Sequence, residues 1–95
     1  MITTNQKAHL LIKNKEVFKA NNIFSIWHGN NYIVYSYGFH FPMYVYNSIE
    51  NKWYENKDKY SVSTSKQQNQ CRIYDENIQY IKLNTQELQN LIAKG

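Results

Sequence analysis

His40, Asp58, Ser63, Thr64 and Lys66 are the side chains of this chain best suited to chemistry. His40 follows Gly38 by two positions and precedes Phe41-Pro42. An imidazole at a sheet rim can act as a general base or stack on a nucleobase. The structural alternative is a rim histidine satisfied by a tyrosine hydroxyl, because no orienting partner adjoins it in sequence. Asp58, Lys59, Tyr60, Ser61, Ser63, Thr64, Ser65 and Lys66 make a dense polar stretch ahead of an expected helix. Free N–H groups at a helix start, with these hydroxyls and Lys66, suit a phosphate or another anion. The glycines that let a backbone wrap phosphate are missing, and the same hydroxyls can serve only as competing N-caps. Ser63 and Lys66 also match a Ser-Xaa-Xaa-Lys acylation pattern, but that chemistry needs further motifs and a larger fold. With His40 as base and Lys66 holding the anion, one reading is a small phosphoester-directed enzyme.

Metal chemistry is not expected. His9, His28, His40, Glu55, Asp58 and Cys71 are the candidate ligands, and none stand at the short spacings of zinc sites. No cofactor is expected either. Cys71 reads as a half-buried helix residue rather than a nucleophile. Nucleic-acid binding is a second reading. Lys57, Lys59, Lys66 and Arg72 lie near Tyr54, Tyr60 and Tyr74, the mixture that base stacking and phosphate contacts require. Glu55, Asp58, Asp75 and Glu76 interleave with them, which equally suits a solvated mixed-charge surface. Lys7, Lys13, Lys15 and Lys19 form a second basic set.

Positioning these groups falls to a chain of 95 residues, enough for a single domain over 1–95. Aromatic residues make up 16%, concentrated between Tyr32 and Lys66. Buried Tyr and Trp need hydrogen-bond partners where Phe and Leu would not, so this stretch is either a polar-wired core or a recognition surface. The net charge of +4 permits contact with nucleic acid or an acidic protein without demanding it. Abundant Asn, Ile, Lys and Tyr with scarce Ala and Gly also look like AT-rich codon bias, which discounts part of that basic signal. One cysteine excludes an internal disulfide and fits a reducing compartment. The first residues lack a signal peptide's basic start and apolar run, and no stretch approaches the roughly 20 residues that span a bilayer. The expected location is the cytoplasm, with no membrane contact.

The expected fold class is α+β: a small antiparallel sheet of three to five strands with N-terminal, middle and C-terminal helices packed on one face. Ala8, Leu11, Ile12 and Lys15 share a helical face, so a helix is predicted over 5–15. Residues 23–28 read as a strand, Gly29-Asn30-Asn31 as hairpin chemistry, and 32–37 as the strongest strand. Gly38 breaks or bulges it, and Pro42 holds Phe41 extended. Residues 43–46 and 52–54 continue a meander, and 55–61 is a charged loop. Thr64 and Gln67 suggest a capping box for a short helix over 65–74. Residues 78–83 form a further strand. Asn84 and Glu87 suggest a second capping box, followed by the apolar stripe Leu88, Leu91, Ile92.

Tyr35-Ser36-Tyr37-Gly38, His40-Phe41-Pro42, Trp53-Tyr54-Glu55-Asn56, Asp58-Lys59-Tyr60-Ser61 and Thr64-Ser65-Lys66 together resemble a group of small proteins of unknown function. That group is encoded mainly by bacteriophages and mobile elements. The match runs over about 21–72, and Asn21-Asn22 and 67–72 follow the same pattern. The group tends to carry a histidine where this chain has Gln67, which weakens any proposal for a second catalytic imidazole. The resemblance implies a phage or plasmid setting, and a His40 region that acts together with the 58–66 region. It transfers no activity. A protein of this kind is expected to bind a host protein or nucleoprotein, for example as an anti-CRISPR-like counter-defence inhibitor. The alternatives are a nucleic-acid module and the small enzyme above. The candidate binding residues are Tyr37, His40, Trp53, Tyr54, Asp58, Lys59, Tyr60, Ser63, Thr64, Lys66 and Arg72. The chain is expected to be a monomer or a homodimer paired through an exposed strand around 43–46.

Overall fold

The computed structural model describes residues 7–20, 22–39, 41–58 and 78–94. The expected middle helix over 65–74 lies outside them. Five strands form one sheet: β1 (Ile23–His28), β2 (Asn31–Ser36), β3 (Pro42–Asn47), β4 (Lys52–Asn56) and β5 (Tyr80–Leu83), in that spatial order. Among the described residues two helices flank it, α1 (Ala8–Lys13) and α2 (Thr85–Lys94). No described helix is long and apolar enough to cross a membrane.

The meander β1 to β4 follows from local chemistry. Gly29 sits at φ 60, the left-handed conformation that a two-residue hairpin turn asks of its first position. His28 therefore pairs with Asn31, and the ladder runs back to Ile23 opposite Ser36. Between β2 and β3 the register shifts at Val34/Tyr35, leaving Tyr35 opposite Pro42. Pro42 opens its strand, the position in a sheet interior where a missing N–H does least harm.

The sheet is mixed, not antiparallel as expected. β5 runs parallel to β4, with Tyr54 beside Ile81. Residues 57–79 connect the two strands, more than the roughly dozen a parallel crossover requires. β3 lies between β2 and β4, so its hydrogen-bonding edges are both occupied and it cannot pair with a second copy.

The two helices also cover opposite faces rather than one. Tyr32 and Val34 of β2 pack with Ala8 and Ile12 of α1, and with Met43, Tyr44, Tyr46 and Trp53. Ile33 and Tyr35 point the other way, toward Val45, Tyr54, and Leu88 and Ile92 of α2. The cause is visible in β2 and β3, which are buried along their full lengths. A strand with no polar face must be covered on both sides.

α1 is shorter than the predicted helix. Lys15 takes φ 56, and the bonds Lys15 N–H to the Ile12 carbonyl (2.9 Å) and Glu16 N–H to the Leu11 carbonyl (2.9 Å) close a Schellman motif. A lysine holds a position that usually falls to glycine. Its ammonium lies 4.5 Å over the Tyr46 ring, and its carbonyl accepts a hydrogen bond from the Trp27 indole at 3.3 Å. The Glu16 carbonyl then receives the hydroxyls of Ser25 and Tyr32. These bonds strap residues 16–20 along the outer edge of β1.

α2 begins as its sequence predicts. Asn84 Oδ1 accepts the Glu87 N–H at 2.8 Å, and Glu87 Oε1 accepts the Asn84 N–H at 3.1 Å. Its far end is held by buried Asn31, whose amide donates to the Leu91 carbonyl (3.3 Å) and whose Oδ1 accepts from Asn47 (3.0 Å). Asn31→Ala strands both partners. It is expected to lower unfolding free energy by about 1–3 kcal/mol, read as a lower urea midpoint at unchanged m-value.

Candidate functional site

Four of the eleven candidate binding residues are described: Tyr37, Trp53, Tyr54 and Asp58. His40, Lys59, Tyr60, Ser63, Thr64, Lys66 and Arg72 lie outside the described residues. The capping box expected at Thr64 and the pairing of His40 with Lys66 fall there too.

Trp53 and Tyr54 are core residues, a correction to their reading as surface anchors. Trp53 is 6% exposed and packs its ring against Tyr46 (5.1 Å between centroids), Tyr80 (6.0 Å) and Tyr32 (6.4 Å). Tyr54 is 8% exposed on the opposite face. Burial raises its phenol pKa, helped by the charge of Glu50 and a hydrogen bond to it. Tyr44 and Tyr46 are buried as well. Their hydroxyls donate to Glu55 Oε2 (3.0 Å) and Asn51 Oδ1 (2.6 Å). The described part of the aromatic middle is therefore mainly a polar-wired core, because a tyrosine can bury its ring if its hydroxyl finds an acceptor.

Glu55 is not a loop residue. It belongs to β4 opposite Tyr44 and is 7% exposed. Asp58 serves as a helix cap. Its Oδ2 accepts the Thr85 N–H at 2.8 Å, at the start of α2. Asn56 positions it: Oδ1 accepts the Asp58 N–H at 2.8 Å, while Nδ2 donates to the Pro42 carbonyl at 2.8 Å and to Thr85 Oγ1 at 3.0 Å. Thus Pro42 and 56–58, separated in sequence, meet at the start of α2. Among the described residues no three His, Cys, Asp or Glu side chains gather as metal ligands.

Among the described candidates Tyr37 and Asp58 lie at the surface, and Tyr37 is the exposed aromatic, at 52%. Its φ of 65, with the Gly38 N–H donating to the Ser36 carbonyl at 2.8 Å, makes a γ-turn of the rarer, strained hand. The Tyr37 N–H is held by the Asn22 carbonyl at 2.8 Å. Two residues on, Phe39 is 63% exposed. Its ring meets Phe24 and Tyr35 edge-on, at 5.1 Å each, while Phe24 and Tyr35 stack at 5.3 Å. The Gln89 amide of α2 donates to the Phe39 carbonyl at 3.3 Å. The turn is thus braced from both sides while presenting two rings to solvent.

Beside it opens a cleft of about 490 Å³ lined by Phe18, Lys19, Ala20, Asn22, Phe24 and Tyr37. Phe24 and Phe39 were not among the sequence candidates, and Lys19 entered only as a member of the second basic set. An exposed phenylalanine next to Gly38 in a turn was the available signal for Phe39. Nothing in the sequence brings 18–20 to Tyr37.

No protein-family model, curated protein or solved structure matches the chain.

The Asp58 cap has a pH signature. The Thr85 backbone N–H, then the Thr85 side chain and Lys57, lower its pKa from the ordinary 3.8. A lowered carboxylate pKa stabilises the fold above the unfolded value and is lost as pH falls through the folded one. Thermal melts between pH 6 and 2 should show wild type losing more stability below pH 4 than Asp58→Asn. Parallel curves would refute the cap.

Proposed function

We propose that this chain is a binding protein that engages a host protein or nucleoprotein through the Tyr37–Phe39 turn. The observation that carries this reading is Tyr37 itself. A bulky ring occupies a left-handed γ-turn where glycine would sit without strain, and the ring is presented to solvent rather than used for packing. Backbone strain of order 1–3 kcal/mol, kept at an exposed position, points to a function for the side chain. Phe39 adds an exposed second ring, and tyrosine and phenylalanine are enriched at protein interfaces. The burial of Tyr44, Tyr46, Trp53 and Tyr54 removes them from this surface, so the interface is small and centred on the turn. A bacteriophage or mobile-element setting, and with it a counter-defence role of the anti-CRISPR type, is supported only by the resemblance of the Tyr35–Pro42 and 53–66 motifs. It places the protein in the host cytoplasm.

The test is retrieval of partners from nuclease-treated and untreated host lysate by tagged wild type, Tyr37→Gly and Phe39→Ser. A discrete protein should survive nuclease treatment with wild type and fall at least tenfold with either variant. Tyr37→Gly should meanwhile melt at or above the wild-type temperature, since glycine relieves the turn. Equal recovery by the variants would overturn this reading. Recovery of nucleic acid alone, lost after nuclease, would transfer the function to a stacking nucleic-acid module. A well-folded His40→Ala protein with full biological effect would eliminate the phosphoester enzyme.

A further inference from the structure

The strap along β1 ends in a hydrogen-bonding edge that no described residue uses. Lys19 pairs with Phe24 as an antiparallel bridge. The bonds that make this bridge belong to its neighbours: Ala20 N–H to the Ile23 carbonyl (2.7 Å) and Ser25 N–H to the Phe18 carbonyl (3.0 Å). In such a non-hydrogen-bonded pair, the N–H and C=O of the paired residue point away from the partner strand. The Lys19 N–H and C=O therefore face outward, and neither has a partner among the described residues. Phe18 is anchored through its N–H to Ser25 Oγ at 3.0 Å, so the strap is held extended.

That edge borders the cleft of about 490 Å³, larger than one side chain needs. The rings of Phe18, Phe24 and Tyr37 supply apolar wall. Lys19 is the charged residue of the lining, and no acidic side chain among the described residues lines it. An edge unpaired among the described residues beside an apolar wall suits strand addition, in which main-chain bonds give affinity and pockets for alternate side chains give specificity, and Lys19 adds a cation for an acidic side chain.

We infer that an extended, acidic segment of the partner protein adds to the strap at Lys19. It forms a two-bond bridge with the Lys19 N–H and C=O, places an apolar side chain between Phe24 and Tyr37, and sets a neighbouring carboxylate on the Lys19 ammonium. This rests on the protein-binding reading above and names the chemistry that the partner brings.

The experiment selects a random heptapeptide display library on the immobilised full chain, then measures a synthetic peptide of the selected consensus by fluorescence anisotropy. Enriched sequences should carry an acidic residue next to an apolar one. Lys19→Pro removes an N–H that makes no bond to the described residues, and should weaken the consensus peptide at least tenfold. Lys19→Ala keeps the N–H and removes the charge. It should weaken the peptide less at high salt than at low salt. If Lys19→Pro unfolds, N-methylation of the peptide at its bridging residue deletes a bond from the other side and should give a similar loss. No enrichment over an unrelated bait, or equal binding by Lys19→Pro and by the methylated peptide, overturns the inference. A lysate partner that depends on Tyr37 and Phe39 but is indifferent to Lys19→Pro overturns this inference alone and leaves the protein-binding reading standing.

Discussion

Residues Tyr32 to Tyr35 offer water no polar side. Alternate side chains of a strand point to opposite faces, so this run puts large rings and branched chains on both. Every other feature answers that requirement. α1 closes the face of Tyr32 and Val34, and α2 closes the face of Ile33 and Tyr35. β3 and β4 extend both faces, with Val45 and Tyr54 on one and Tyr46 and Trp53 on the other.

Covering tyrosines on two faces creates a second demand, because each buried phenol leaves a hydroxyl to satisfy. The chain meets it with main-chain carbonyls and short polar side chains. Tyr32 reaches the Glu16 carbonyl, Tyr44 reaches Glu55, and Tyr46 reaches Asn51. The Tyr32 bond also fixes the strap, since the same carbonyl holds Ser25. Core wiring and the edge that borders the cleft are therefore one structure.

The surface left over is set by where the helices stop. α2 packs chiefly on β3 and β4, leaving Phe24 and Ile26 of β1 only partly covered. The Ser36–Phe39 turn folds over this margin and is tied to α2 through Gln89 and to the β1 approach through Asn22. Its exposed rings sit on a braced platform, which limits the entropy lost when a partner binds.

Much of the local structure was legible in the sequence because its causes are local. Gly29 marks the hairpin, Asn84 and Glu87 the start of α2, and Leu88 and Ile92 its buried stripe. Tyr37 was legible as a candidate, although its strained turn was not. The parallel placement of β5, the opposite faces of the helices and the meeting of Pro42 with 56–58 were not legible. Asp58 reads as a ligand contact in sequence because its partner, the Thr85 N–H, lies 27 positions away. Trp53 and Tyr54 read as anchors because a ring with a polar tip suits a surface and a wired core equally. Residue type fixes what a side chain can do and which turn follows it. Which neighbours it meets depends on contacts between distant segments, and only the folded chain decides whether a tyrosine ends beside an acceptor or beside water.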